Sequence, residues 1–285
     1  MAGNKLLQEV QELEVEALAD ICQVCAEYHL KFYLRGGSVL GAVKYQDFVP
    51  WDDDIDIAFP RKDYQKLISV MPQRFGGKFR FVCYQKTKNA HCYFPRVILE
   101  KSYLKEHGLP QNNERGLVLI DIFPLDGMPD RRICFQAHVV QAYIYRILAG
   151  VWTLDAKKTI SRHTDQQQMI LKLLHAAQIQ RLYKQDDIYH KLDRLYAKYE
   201  FGKTRKAGML MSSKGLKDVC PTSWWGKGKK ASFHGLEVRI PSQSDLYLKQ
   251  LFGDHYATTE PDFKDREKSR LVSAAEDQHT KPNWI

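Results

Sequence analysis

The sequence has few cysteines and no long apolar run. Six cysteines in 285 residues are too few for a disulfide scaffold, so we expect reduced thiols. The longest apolar stretch, residues 139–152, is interrupted by Gln141 and Arg146. It is shorter than the roughly 20 apolar residues that a membrane span needs. No basic stretch leads into an apolar run near Met1, so no secretory signal is expected. These absences predict a soluble, cytoplasmic protein and leave association with the inner face of the membrane open.

The chain carries an excess of positive charge. It has 43 Lys and Arg against 34 Asp and Glu, a formal charge of +9. Such a surface suits anionic partners, which include nucleotides, nucleic acid and anionic membranes. Hydrophobic residues make up 44% and charged residues 27% of the chain, as in ordinary globular proteins. This composition excludes the disordered, collagen-like and coiled-coil classes.

Hydrophobic periodicity divides the chain into a mixed first part and a helical second part. Apolar residues at helical spacing predict helices over residues 5–30, 39–45, 62–70, 133–152, 164–183, 186–200 and 244–252. Alternating or continuous apolar runs predict strands over residues 32–34, 54–59, 79–84, 93–99 and 117–122. Residues 201–232 are rich in Gly and Lys and are expected to form loops. We therefore expect an α+β fold, with a core over residues 1–128 and a mostly helical portion over residues 129–285.

The acidic segment Trp51-Asp52-Asp53-Asp54-Ile55-Asp56-Ile57 is the strongest chemical signal. Side chains alternate between the two faces of a strand, so Asp54 and Asp56 are expected to point the same way, and Asp52 shares their parity. Neighbouring carboxylates repel each other unless a cation lies between them or one is protonated. Oxygen ligands at this spacing suit Mg²⁺. A solvated acidic turn is the alternative interpretation.

A Gly-Gly turn precedes this segment in Leu34-Arg35-Gly36-Gly37-Ser38. Backbone N–H groups at such a turn can approach a phosphate closely. Ser38 opens a predicted short helix, whose N-terminus favours an anion. The turn therefore predicts a phosphate-binding loop, with a simple turn as the alternative.

Asp121 lies within the apolar run Leu119-Ile120-Asp121-Ile122-Phe123. A buried charge is unfavourable unless it is paired or bound to a metal. Asp121 is therefore a candidate third carboxylate for the site of Asp54 and Asp56. The alternative is an Asp that caps a turn, a role that fits Asp126, before Gly127, better.

Three segments together resemble the LicD family. GGSVLGAVKYQDFVPWDDDIDIAFPRKDYQKL resembles the family's signature, LIDIFPLDG its next block, and FHGLEVRIPSQSDLYLKQLFGDHY its C-terminal block. LicD proteins and the related fukutin proteins are regarded as members of the nucleotidyltransferase superfold. The resemblance implies a nucleotidyltransferase-like mixed sheet domain with a packed helical C-terminal portion. Residues 1–128 would then form the catalytic core, and residues 129–285 would contribute to donor and acceptor binding. It also implies Mg²⁺-dependent transfer of a phosphorylated alcohol, typically phosphocholine from CDP-choline, to a hydroxyl of a glycan. The expected glycan is a cell-surface precursor of teichoic acid, lipopolysaccharide or capsule.

The resemblance also implies roles for individual residues. The expected catalytic and metal-binding carboxylates, for Mg²⁺ or Mn²⁺, are Asp54, Asp56 and Asp121, with Asp52 as a further candidate ligand. The expected contacts to the donor phosphates are Gly36, Gly37, Ser38 and Lys44. Arg96 is a candidate for the same role, with a surface salt bridge as the alternative. His234 stands where many relatives carry Glu, so no acidic role is assigned to it.

Two further features of the sequence concern the donor and the surroundings of the site. Trp224 and Trp225 are candidate walls of a choline site, because aromatic faces attract a quaternary ammonium group. One buried and one surface tryptophan is the alternative. The lysines that follow predict a contact with phosphates, acidic glycan or membrane, or a solvated loop. The apolar residues 139–152 favour a core helix over one resting on a membrane.

Two other functions stay open. A nucleotidyltransferase acting on a small acceptor would need a similar site but would release pyrophosphate where phosphoalcohol transfer releases CMP. A non-catalytic glycan- or nucleic-acid-binding module would use the positive charge, but the three carboxylates oppose it by repelling phosphates. The expected partners are thus CDP-choline or another CDP-alcohol and a glycan acceptor, lipid-linked acceptors included. No nucleic acid is expected, and a peripheral membrane contact stays open.

Overall fold

The computed structural model describes residues 2–88, 90, 92–112, 115–152, 165–210, 212 and 214–258. The chain divides into two compact units. The first takes the described residues of Met1–Val82, Phe94–Pro124 and Ser223–Ile285, and the second those of Cys83–Tyr93 and Leu125–Thr222. Helices and sheets occur in both, so the predicted α+β class is confirmed. The units do not coincide with a single cut at residue 128. The assignment of catalysis to residues 1–128 and of donor and acceptor binding to residues 129–285 stays a prediction.

The first unit is built on a sheet with the strand order β1-β2-β5-β4-β3. These strands are β1 (Tyr33–Leu34), β2 (Ile55–Pro60), β3 (Phe79–Val82), β4 (Arg96–Glu100) and β5 (Gly116–Met128), the last four residues of β5 belonging to the second unit. The first unit's helices before residue 124 are α1 (Ala2–Glu27), α2 (Gly36–Lys44), α3 (Arg61–Val70) and α4 (Lys101–His107). β3 and β4 pair antiparallel.

The C-terminal segment of the first unit begins within α8 (Thr222–Trp225). It continues as an antiparallel hairpin of β8 (Lys229–Phe233) and β9 (Leu236–Ile240), followed by α9 (Ser244–Phe252). The helix predicted over residues 244–252 is thus confirmed. The Tyr33 hydroxyl on β1 donates a hydrogen bond of 2.8 Å to the carbonyl oxygen of Gly226. This bond connects the C-terminal segment to the sheet that contains β1.

The apolar pattern explains why these elements form. In α1, Val10, Ala17 and Ile21 recur at helical spacing and are fully buried. In β2, Ile55 and Ile57 alternate with Asp56 and are also fully buried. The charged residue is thereby placed on the opposite face of the strand from the isoleucines.

The second unit is mainly helical. Its helices are α5 (Arg132–Val151), α6 (Asp165–Ala176) and α7 (Gln185–Tyr196). The end of β5 pairs antiparallel with β6 (Lys206–Gly208), which pairs with β7 (Cys220–Pro221). In the part of the chain that the structure describes, no helix combines the length and the apolar character needed to cross a membrane.

Several sequence-based predictions of elements were wrong. The predicted loop over residues 201–232 contains β6, β7, α8 and most of β8. The first three have two to four residues each, which is too short to leave a periodic pattern. β5 continues to Met128 beyond the predicted end at residue 122, although Pro124 and Gly127 are typical of turns. α4 was not predicted at all. The helix predicted over residues 164–183 ends as α6 at Ala176, and a 3-10 turn follows at Ile179–Leu182.

A buried histidine lies in the second unit. His138 of α5 is 4% exposed, and its ring meets those of Tyr196 and Tyr199 edge-on at 6.2 and 5.5 Å. Its Nε2 atom has no hydrogen-bond partner among the described residues. Burial lowers the pKa of His138 to about 4, and the charge of Lys198 acts in the same direction. At this histidine, the folded protein therefore binds fewer protons than the unfolded chain between pH 4 and about 6.5.

We expect this histidine to weaken the fold in mild acid. Because its folded pKa is depressed, the free energy of unfolding should fall by up to about 1.4 kcal/mol per pH unit as the pH drops from 6.5 to 4. His138→Phe keeps a ring and removes the titration, so its stability should fall less over this range. Urea unfolding at several pH values measures the difference. His255→Asn, at an exposed position, is the control. Parallel stability curves for His138→Phe and the parent would contradict this expectation.

Candidate active site

Three carboxylates converge in the first unit. β2 and β5 are neighbours in the sheet, so Asp56 on β2 and Asp54 just before it lie near Asp121 on β5. One oxygen of each carboxylate lies within 4.8 Å of the others. Asp121 is buried, whereas Asp54 and Asp56 are partly exposed. The structure thus brings together the three residues that the sequence grouped, while their catalytic roles stay predictions.

Two arginines offset part of this negative charge. Nη1 of Arg35 lies 3.2 Å from Oδ2 of Asp56, and its guanidinium group stacks 4.2 Å from the ring centre of Phe123. Nε of Arg96 donates a hydrogen bond of 2.7 Å to Oδ1 of Asp121, which faces it across the β4–β5 pair. Three carboxylates and two guanidinium groups leave a formal charge of −1, which favours a bound cation.

The carboxylates fit a divalent cation that takes oxygen ligands. At a Mg²⁺–oxygen distance of about 2.1 Å, two ligands on opposite sides of one ion lie about 4.2 Å apart. Oxygens within 4.8 Å of one another therefore need little movement to share an ion. Asp52, Asp53 and Asp54 form a second group within the same limit, so Asp52 stays a candidate further ligand.

The Gly-Gly turn lies directly against the acidic segment. Gly36 has φ +54°, a conformation that favours glycine, and a Cβ there would lie 3.3 Å from Oδ2 of Asp56. A Cβ on Gly37 would lie only 2.7 Å from Oδ2 of Asp52. The two glycines thus leave room for carboxylates of the site. Their predicted contact with the donor phosphates stays a prediction.

Ser38 and Tyr247 fix the same turn from two sides. The buried Ser38 hydroxyl accepts a hydrogen bond of 2.9 Å from the backbone N–H of Asp56, which joins α2 to β2. The Tyr247 hydroxyl accepts one of 3.1 Å from the backbone N–H of Gly36. A structural role for Ser38 is therefore evident, and its phosphate contact stays a prediction.

The remaining predicted residues take different positions. Lys44 ends α2, with its ammonium group 5.3 Å from the ring centre of Tyr45. Arg96 forms an ion pair with Asp121, which is buried rather than at the surface, and its contact with the donor phosphates stays a prediction. Trp225 is fully buried between Tyr33 and Tyr247, with ring centres 5.4 and 5.1 Å away. This arrangement matches the alternative of one buried and one more exposed tryptophan, because Trp224 is partly exposed. The choline contact stays a prediction, for which Trp224 is the accessible candidate.

His234 links the β8–β9 turn to acidic residues. Its Nδ1 lies 2.8 Å from Oδ1 of Asp47, and its Nε2 lies 3.4 Å from Oε1 of Glu12. The hydrogen bond with Asp47, aided by the charge of Glu12, raises the pKa of His234. The sequence left this role open, and the structure assigns it to holding the hairpin.

Sequence reasoning missed Arg35 and Tyr247 as parts of the site. Arg35 stands beside the glycine pair, but sequence alone does not distinguish an arginine buried to 3% exposure from an exposed one. Tyr247 is 211 residues from Gly36, and no local pattern announces such a contact. The family's C-terminal block, which contains Tyr247, was the available signal.

We expect the Arg96–Asp121 pair to stabilise the first unit. Removing one partner leaves a buried charge, so Arg96→Met should lower the free energy of unfolding by about 3 kcal/mol. Adding Asp121→Asn should restore part of the loss. A double-mutant cycle from urea unfolding measures the coupling. The control is Arg80→Met, which removes the more exposed pair with Glu100 and should cost about 1 kcal/mol or less. Equal losses of stability in Arg96→Met and Arg80→Met would contradict the expectation.

Comparison with known proteins shows what the chain is similar to. Residues 29–154 match the family model described as "LicD/FKTN/FKRP, nucleotidyltransferase domain". The chain is 22% identical over 255 residues to the lipopolysaccharide cholinephosphotransferase LicD of Haemophilus influenzae, covering 87% of this chain and 91% of the relative. An uncharacterized protein of Rickettsia prowazekii is 31% identical over 73 residues, 26% of each chain. One of Rickettsia typhi is 29% identical over 58 residues, 20% of this chain and 19% of the relative. The resemblance to the LicD family is thereby confirmed, with residues 29–154 matching the family model and most of the chain similar to the LicD relative.

Proposed function

We propose that the protein is a phosphotransferase that moves phosphocholine from CDP-choline to a hydroxyl of a cell-surface glycan, with Mg²⁺ as its cofactor. The similarity to a lipopolysaccharide cholinephosphotransferase over most of both chains supports the transferase class and the glycan acceptor. The observation that carries the proposal is the convergence of Asp54, Asp56 and Asp121 beside the glycine turn. CDP-choline and Mg²⁺ are the finer parts of the proposal, and the assays below test them.

The chain's own residues account for most of the proposed chemistry. Asp54, Asp56 and Asp121 would hold the cation, which when bound offsets negative charge on the donor pyrophosphate. Arg35 and Arg96 orient two of these carboxylates through their ion pairs. One carboxylate of the cluster accepts the proton of the acceptor hydroxyl while the new phosphorus–oxygen bond forms. The bond between the phosphorus atom of the phosphocholine group and the bridging oxygen of CMP breaks. CMP leaves with the electron pair of that bond.

We expect Asp54→Asn and Asp56→Asn each to lower turnover by about 100-fold or more, because each removes a negative ligand from the site. The assay supplies CDP-choline, Mg²⁺ or Mn²⁺, and lipopolysaccharide lacking phosphocholine. It measures both CMP release and choline bound to the glycan. Asp254→Asn, an exposed carboxylate of the same unit, is the control and should keep full activity.

The products separate this proposal from its rivals. Release of pyrophosphate in place of CMP, with any nucleotide donor, would identify a nucleotidyltransferase. Unchanged CMP release by both Asp variants would remove the acidic segment from the mechanism. Glycan binding without any turnover of CDP-alcohols would favour the non-catalytic module.

We expect Trp224 to contribute to recognition of choline. Choline has a fixed positive charge and no N–H donor, so aromatic faces are its natural partners. Trp224→Ala should weaken CDP-choline binding by about 1 to 2 kcal/mol and leave CDP binding nearly unchanged. Calorimetric titration of both ligands measures the difference.

Trp225→Phe is the matched control for this titration, because Trp225 is fully buried. It should lower thermal stability without distinguishing the two ligands. If Trp224→Ala changes the affinities for CDP-choline and CDP equally, the choline site lies elsewhere. An alcohol read by hydrogen bonds, such as a polyol, would then become the better candidate.

A further inference from the structure

The second unit exposes an unusual number of large apolar side chains on its helices. On α5, Ile133, Val140 and Ile144 are 80, 58 and 51% exposed. Their spacing of seven and four residues places them in one stripe along the helix. α6 packs against α5 and also exposes large apolar residues. The exposed large apolar residues of the two helices, here called the α5–α6 face, are Ile133, Val140, Tyr143, Ile144, Met169, Ile170 and Leu173. Clustered exposed apolar residues of this size mark interaction sites in soluble domains.

The opposite side of α5 is already used. His138, Ala142 and Ala149 of this helix are buried, and α5 packs on α7 within the unit. The side chain of Arg146 donates a hydrogen bond to the carbonyl oxygen of Leu210. α5 is thus anchored through one face, and its apolar stripe points outward as part of a folded unit.

The same part of the chain has most of the net positive charge. Residues 131–184 contain nine Lys and Arg but only two Asp and no Glu, a formal charge of +7 out of the +9 of the whole chain. Exposed basic side chains adjoin the apolar ones in the chain: Arg131 and Arg132 precede Ile133, Lys172 precedes Leu173, and Arg181 precedes the 80%-exposed Leu182. Apolar exposure and positive charge therefore coincide.

We propose that the α5–α6 face binds the surface of an anionic lipid bilayer, with its apolar side chains in the headgroup region and its basic residues against lipid phosphates. This combination is typical of helices that lie in the plane of a membrane interface. A second copy of the chain is the less suitable occupant, because pairing two such faces would bring two segments of charge +7 together. An anionic bilayer offers negative headgroups to the basic residues and an apolar region to the exposed apolar side chains.

The test is cosedimentation of the full chain with vesicles. Vesicles of phosphatidylcholine with 30% phosphatidylglycerol should bind the protein at 0.1 M salt, and 0.5 M salt should weaken the binding, since exposed charges are screened. Pure phosphatidylcholine vesicles should bind it at least about tenfold more weakly. Replacing Ile133, Val140 and Ile144 by Ser should reduce binding to anionic vesicles about tenfold or more.

Matched controls distinguish binding by this face from non-specific hydrophobic and electrostatic binding. Leu216→Ser with Leu246→Ser removes exposed apolar residues elsewhere and should leave binding unchanged. Arg131→Ser with Arg132→Ser should weaken binding to anionic vesicles about tenfold. Lys227→Ser with Lys229→Ser removes the same charge from the exposed start of the β8–β9 hairpin and should have a smaller effect.

A second measurement avoids the apolar variants altogether. Cys134 is exposed on α5, so it can carry a fluorophore whose emission shifts to shorter wavelength in an apolar environment. The shift should appear on adding anionic vesicles and be absent in Cys134→Ser protein treated in the same way. No binding to anionic vesicles, or equal losses in the matched controls, would overturn the proposal. A dimer in light scattering that the triple Ser variant converts to a monomer would also overturn it, because a second copy then covers the face.

Discussion

Repulsion among three carboxylates is the constraint around which the first unit is arranged. Asp54, Asp56 and Asp121 come within 4.8 Å because two neighbouring strands carry them. Like charges at this distance are unfavourable unless opposite charges or a cation offset them. Arg35 and Arg96 therefore lie within the same unit, each bound to one carboxylate. Their presence also means that a charge-removing variant at Asp56 or Asp121 changes an ion pair as well as the cluster.

The carboxylates were predictable and their arginine partners were not. Asp54 and Asp56 follow from strand alternation, and Asp121 is conspicuous as a single charge in an apolar run. The pairing of Arg96 with Asp121 depends on the register between β4 and β5, which shifts at Val97 and Ile98. A single sequence does not specify register between strands that are distant in the chain. Which of the two tryptophans is buried also depends on a contact distant in the chain, since Trp225 packs against Tyr33.

The net positive charge is also distributed less evenly along the chain than composition suggests. The net figure of +9 favoured nucleotides, nucleic acid and membranes equally, because it says nothing about distribution. Most of it belongs to residues 131–184, whereas the candidate active site contains more acidic than basic groups. The exposure of individual apolar residues on α5 could be determined only from the folded structure. An apolar stripe of this kind is equally typical of a helix packed in a core. Composition thus indicated anionic partners but not the surface that would meet them.

The contact between Tyr247 and Gly36 has a consequence for synthesis of the protein. The two residues are 211 positions apart, and the second unit is encoded mostly between them. At ordinary translation rates of about 5 to 20 residues per second, Gly36 leaves the ribosome about 10 to 40 s before Tyr247. The second unit has its whole sequence available earlier than the first. The nascent chain therefore holds the acidic segment and its glycine turn in an unfinished unit until α9 has been made.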